Sequence, residues 1–414
     1  MDGNRRTDAR TWDLRGSHLA QGMNSAIGWI DFDESERDRA QRLMDLFREQ
    51  DSRDELGLGA IRDSIADHLF PGTSTIQTRL RYMLFIPWAL RSLPSNLGVR
   101  EMAAKARQKE IELVRALIAG APKDIGIIGR DAGDKLKRLP SSVYWSGLES
   151  WGIRYFPGSI EAYFGALPHW PKDATKDHAE DDLGGAPRGR SLWHERLPDP
   201  PAGWPENVDF ELKPDEASFL LDRLVERHPN SLLTYLACRQ DRATADAIWL
   251  HPHLADFPAQ ARRLVDHARV FSGVMHGAAL LYNLLLSELR RKEDWIENYK
   301  TALANWSDEF DSNALASWSL DDFWHETRHT GHQVLEPAKR FVTEWVSLIR
   351  KEGGIGRNRD AANALIISRE RKLKKGQSRF ANTSARDRWQ GASGIERFQF
   401  RWPIARSYLK DLRP

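Results

Sequence analysis

Two short strings carry the residue types of a catalytic centre. His325-Glu326-Thr327-Arg328-His329 is a literal H-E-x-x-H. On a helix that spacing sets two imidazoles one turn apart for zinc and leaves the glutamate to activate water. The neighbouring residues oppose this reading. If Ser319 caps the helix, Leu320, Phe323, Trp324 and Thr327 form the inward face, and at 100° per residue His325 and His329 point to solvent. Arg328 also puts a cation between the would-be ligands. Pro198-Asp199 followed by Glu211-Leu212-Lys213 has the bare residue types of a magnesium nuclease, whose carboxylates hold the ion while the lysine steadies water. Pro198, Pro200, Pro201 and Pro205 make its first half extended coil, and Lys213-Pro214 reads as the start of a helix. Neither string is expected to be catalytic, and no metal or cofactor is expected. Gly353-Gly354-Ile355-Gly356 lacks the lysine of a phosphate loop.

Binding chemistry is better represented. Lys135, Lys137 and Arg138 precede Leu139-Pro140, and Ser141 can cap a helix that runs to Trp151 and stops at Gly152. On that helix Val143, Tyr144, Gly147, Leu148 and Trp151 should face inward, leaving Ser142, Ser146 and Glu149 outside with Trp145 at the edge. Short strands expected at 125–128 and 153–156 complete the element order of a winged helix-turn-helix. Its nucleic-acid contacts would be Lys135, Lys137, Arg138, Ser142, Trp145, Ser146 and Arg154. Glu149 is repulsive there unless it accepts from a cytosine amine. The alternative is a structural or protein-docking unit.

Charge is segregated along the chain. Residues 339–414 hold 19 Lys and Arg against 7 Asp and Glu, a net +12, and the preceding residues hold 42 against 52, a net −10. Arg369, Arg371, Lys372, Lys374, Lys375 and Arg379, with Arg386 and Arg388 beyond them, are interleaved with Phe380 and Trp389. Backbone neutralisation plus stacking would suit single-stranded or distorted nucleic acid. The competing expectation is that this basic end docks on the acidic body of its own chain.

Helices must position these groups. Asp33 and Glu36 make a capping box, and Ile61, Ile65 and Leu69 recur every fourth residue until Phe70-Pro71-Gly72. A helix begun by Ile76, Leu80 and Leu84 should kink or end at Pro87, and another should run over 99–118. Further helices fall near 215–227 and 260–291. The apolar run at 270–286 contains Ser272, Gly273, His276, Gly277 and Asn283, which makes it a buried helix and not a membrane span. The fold class is mainly α, with two helical lobes. A flexible extension covers 1–22, with Met23 as an alternative start. The first lobe covers 23–172 and includes the helix-turn-helix module at 124–165. A linker at 173–190 leads to the second lobe at 191–414. Cys238 alone cannot form an internal disulfide, no signal segment opens the chain, and a cytoplasmic location follows.

Several strings together resemble a numbered-only bacterial family of unknown function: Gly28-Trp29-Ile30-Asp31-Phe32-Asp33, Arg53-Asp54-Glu55-Leu56-Gly57-Leu58-Gly59, Phe70-Pro71-Gly72-Thr73-Ser74-Thr75-Ile76-Gln77-Thr78-Arg79, Leu139-Pro140-Ser141-Ser142-Val143-Tyr144-Trp145, and Arg401-Trp402-Pro403. The resemblance implies a place in anti-phage defence islands beside helicases and phospholipase-D-like nucleases, and it implies no reaction. The combined expectation is a non-enzymatic accessory or scaffold subunit that binds nucleic acid, DNA foremost, and recruits helicase or nuclease partners. The alternatives are a metal-dependent hydrolase or nuclease, and a pure protein-interaction subunit.

Overall fold

Regular structure in the computed structural model is helical. It describes residues 54–414, apart from 95, 171–190, 207, 242–244, 329–330 and 414. The expected extension, the capping box at Asp33, the Gly28 string and the linker therefore lie outside the described residues. In chain order the helices are α1 (Gly59–Leu69), α2 (Tyr82–Arg91), α3 (Val99–Gly120), α4 (Pro140–Ser150), α5 (Ile160–Ala166), α6 (Pro214–Arg227), α7 (Leu232–Cys238) and α8 (Ala259–Arg290). They continue with α9 (Glu293–Glu309), α10 (Ser312–Ser317), α11 (Leu320–Glu326), α12 (Glu336–Arg350), α13 (Gly354–Arg357), α14 (Arg359–Lys374), α15 (Thr383–Asp387) and α16 (Trp402–Asp411). No strand occurs among the described residues; the one extended pairing is an isolated bridge between Arg154 and Trp193.

Local chemistry sets several helix starts. Ser159, Ser231, Asp311, Ser319 and Asn382 each accept from a first-turn amide of the helix that follows, which satisfies donors that have no intrahelical partner. Pro214 opens α6, and the Glu216 carboxylate accepts from the Lys213 amide at 3.2 Å.

The run at 270–286 does form the middle of a buried helix. α8 has 32 residues, about 48 Å at 1.5 Å per residue. It is long and apolar enough to cross a membrane, yet 83% of its apolar window is buried inside the protein. Arg291 in the left-handed conformation turns the chain so that α9 folds back on it, and α1, α11, α12 and α14 pack around it. One connected core includes Leu56, Leu148, Leu281 and Leu409 and so draws on both sides of the 173–190 segment.

Several local expectations change. The helix expected from Ile76 begins only at Tyr82, and with Pro87 inside it α2 continues to Arg91. Residues 125–128 form turns with Ile125 89% exposed, so no strand forms there. The first helix of the supposed helix-turn-helix is a three-residue 3₁₀ turn, Gly133–Lys135. Without that helix or a wing, the described residues do not make a winged helix-turn-helix. Pro140 opens α4 after Leu139, and Ser141 is buried instead of capping. Gly152 ends the helix with φ of +65°, as its position predicts.

Candidate nucleic-acid interface

Three of the strings that carried the resemblance, at 70–79, 139–145 and 401–403, converge on one buried polar hub. Gly72 has φ of +75°, and a Cβ there would lie 2.5 Å from the Trp151 indole. Only glycine fits, and the indole Nε1 donates to the Pro71 carbonyl at 3.0 Å. The Tyr144 hydroxyl accepts from the Thr78 and Arg79 amides at 2.9 and 3.1 Å. The Tyr408 hydroxyl donates to Gln77 Oε1 at 2.9 Å. Arg79 and the Leu80 amide both bind the Asp411 carboxylate, at 2.9 and 2.8 Å. Arg401, buried and left-handed, reaches Asp63 at 3.1 Å, the Thr73 carbonyl at 2.6 Å, and Asp67. Burial pushes the Asp63 carboxyl up, and the charges of Arg401 and Arg62 outweigh it and hold the group below its ordinary range. These side chains are spent on each other, joining α1, α4 and α16; the hub is architecture.

Those residues of the two catalytic strings that are described do not come together as a metal site. α11 ends at Glu326, one residue after His325. His325 is exposed, as the periodicity requires, and His329 lies outside the described residues. Glu326 pairs with Arg263 at 3.1 Å. Asp199, Glu211 and Lys213 are exposed, and the nearest cation to Asp199 is Arg91 at 3.7 Å. No group of three or more His, Cys, Asp or Glu among the described residues is placed to hold a metal. A cleft of about 290 Å³ includes Asp67, His68, His228 and Glu326 in its wall. Burial lowers the pKa of His228, whose ring is bonded there to Ser150.

Around α4 the face assignment agrees with the structure. Ser142 and Ser146 are exposed, as are Lys135, Lys137 and Arg138, while Val143, Tyr144, Gly147, Leu148 and Trp151 are buried. Two residues expected to touch nucleic acid turn inward. Arg154 is 2% exposed, lies 4.2 Å over the Trp145 ring and pairs with Glu149 at 2.6 Å. Trp145 itself is half-buried and donates to the Gly158 carbonyl at 2.7 Å. Arg154 and Trp145 therefore build the underside of α4 and cannot reach a ligand, and Glu149 is neutralised within the chain.

The basic end divides in two. Arg369 donates to the Leu56 and Gly57 carbonyls at 2.8 and 3.1 Å, and Lys374 and Arg379 bind the buried carboxylate of Glu55, the latter at 2.8 Å. Burial raises the Glu55 carboxyl, but the bonds from Lys374 and Ser393 and the two cations pull it below its ordinary range. Elsewhere Arg359 meets Glu288, Arg397 meets Glu309, and Arg406 meets Asp246. Much of the +12 is thus docked on the acidic body. Phe380 and Trp389 are buried against Tyr282 and Trp295, so neither can stack on a base. Arg369 and Arg379 leave the expected binding set with them.

What remains outside is Arg371, Lys372, Lys375 and Arg388, with half-exposed Arg386 beside them. Among the described residues Arg371, Arg386 and Arg388 bond to uncharged oxygens only, those of Phe380, Arg379, Thr383 and Gln377. Residues 371–388 contain a single acid, Asp387. Sequence reasoning grouped all these cations together because it could not see which ones a buried acid 319 residues before Lys374 would claim.

A family model described as a family of unknown function (DUF6361) matches residues 24–414. No curated protein and no solved structure matches the chain.

Proposed function

The chain belongs to DUF6361, a family of unknown function, and we propose from its own residues that it is a nucleic-acid-binding accessory subunit whose main contact surface is the end of α14 and the loop to α15. The observation that carries the reading is the cluster Arg371, Lys372 and Lys375 at the end of α14 with Arg386 and Arg388 at the end of α15, five cations without a carboxylate partner among the described residues. Such a surface binds by neutralising phosphates and releasing counterions. With Phe380 and Trp389 buried it offers phosphate contact and no base stacking, which suits a backbone read without regard to sequence. Lys135, Lys137, Arg138, Ser142 and Ser146 are exposed on another part of the chain and form a second, weaker binding region in this reading. Cytoplasmic action in anti-phage defence with helicase or nuclease partners belongs to the same proposal and rests on the resemblance.

The test is a DNA titration across a salt series with wild type and an Arg371→Ala, Lys372→Ala, Lys375→Ala variant. The expected result is weaker binding and a log–log slope shallower by up to about 0.9 for each phosphate the variant no longer neutralises. Equal slopes would remove this surface from the proposal.

A further inference from the structure

We infer that Glu55 is a built-in competitor for phosphate: its carboxylate holds Lys374 away from the basic surface and so limits how many phosphates that surface can engage. The inference rests on the reading of this surface as a phosphate-binding one.

α14 ends with Arg369, Arg371, Lys372 and Lys374, followed by Lys375. At 100° per residue Lys374 leaves the helix within about 60° of Arg371, so the two belong to one side of the helix end. Arg371 is exposed and Lys374 is drawn in to Glu55. Nothing in the sequence of the helix distinguishes them; the difference is a carboxylate contributed by residue 55. Its oxygens receive a lysine ammonium and a guanidinium at once, the kind of pairing a phosphate also makes.

The two cations are not equivalent. Arg379 is also tied to the Tyr282 hydroxyl at 2.9 Å and to the Ser393 hydroxyl at 3.2 Å, so it is fixed. Lys374 makes no other bond among the described residues. If Lys374 swings away, Glu55 keeps Arg379 at 2.8 Å, the Ser393 hydroxyl and the Tyr282 hydroxyl at 3.3 Å. The carboxylate is not stranded in the core, which is what makes the exchange of a buried ion pair feasible. The flexible four-carbon stem of lysine allows the movement. Arg369, held by two backbone carbonyls of the same 54–57 segment, keeps the helix end in place while Lys374 moves.

The experiment is a salt-series titration of full-length protein with a short DNA duplex of random sequence, for wild type, Glu55→Gln, Lys374→Ala and the double variant. Thermal melts confirm folding. Glu55→Gln should bind more tightly and steepen the slope by about 0.9, the signature of one more phosphate neutralised. Lys374→Ala alone should leave the slope unchanged, and the double variant should return to the wild-type slope. An unchanged slope in folded Glu55→Gln overturns the inference, provided the Arg371, Lys372, Lys375 triple variant does show a shallower slope. If the triple variant keeps the wild-type slope, the proposed surface has failed and not the role of Glu55. Should Glu55→Gln not fold, Lys374→Ala decides: a slope shallower by about 0.9 means Lys374 already sits on phosphate and the inference is wrong.

Discussion

The carboxylate of Glu110, on α3, accepts both the backbone amide and the hydroxyl of Ser141 at the first turn of α4, each at 2.7 Å. The pair locks two helices together through a buried acid. Complete burial pushes the Glu110 carboxyl up to about 7, against the bonds from Ser141 and the charge of Arg107.

That shift predicts a pH dependence. The folded protein holds a proton on Glu110 between the ordinary value of 4.5 and about 7, whereas the unfolded chain has released it. The stability linked to this group is therefore complete below pH 4.5 and is lost as pH rises to about 7 and beyond, by on the order of 3 kcal/mol. Glu110→Gln keeps an acceptor for the Ser141 amide and has no charge to desolvate. Thermal melts of both proteins from pH 4 to 8 should show equal stability at the acid end and a more stable variant at the alkaline end.

Arg401 carries a second prediction. It pairs with Asp63 and Asp67 inside the hub, and Arg401→Met would remove that charge and leave Asp63 with Arg62 and Asp67 with His332. Removing one member of such a network costs about 3 to 5 kcal/mol. Urea denaturation should show that loss, and Asp63→Asn in the Arg401→Met background should recover part of it, because it removes one buried charge that Arg62 alone would then balance.

Glu110 and Arg401 also show how far the sequence could be read. The helical class, the faces of α4 and the burial of residues 270–286 follow from periodicity, because apolar residues must share a side whatever they pack against. Glu110 was visible in principle. It lies on the stripe Met102, Ala106, Leu113, Val114 and Leu117 that α3 buries, and an acid on such a stripe signals a partner. Which partner is a long-range fact. Ser141 lies 31 positions away and Asp63 lies 338 before Arg401, and no local pattern encodes those pairings. The same blindness made a basic run look uniformly exposed when Glu55 claims two of its members. It also let a three-residue turn pass for the first helix of a DNA-binding motif, since Lys135-Leu136-Lys137-Arg138 is too short to show a period.

The histidine string yields a prediction of indifference. His325 is exposed on the last turn of a seven-residue helix that ends at Glu326, so His325→Ala should change stability by no more than about 0.5 kcal/mol. Elemental analysis of the purified protein should find no stoichiometric zinc in wild type or variant. Zinc at one equivalent, absent from the His325 variant, would reassign this string to metal binding.

Neighbours on α4 give the sharpest contrast. Leu148 is fully buried, and its side chain belongs to the core that α4 shares with α2. Truncating it to alanine removes buried methyl groups and leaves a cavity, at a cost of about 2 to 5 kcal/mol. Ser146, two residues earlier, faces solvent, and Ser146→Ala should cost within about 0.5 kcal/mol. Binding then separates two roles for the exposed face. If Ser146 and its neighbour Ser142, one turn away, touch nucleic acid, a Ser142→Ala, Ser146→Ala variant binds DNA more weakly with its melting temperature intact. Unchanged binding in that variant, alongside weaker binding in the Arg371, Lys372, Lys375 variant, confines the interface to the end of α14 and leaves α4 as the element that carries Ser141 to Glu110.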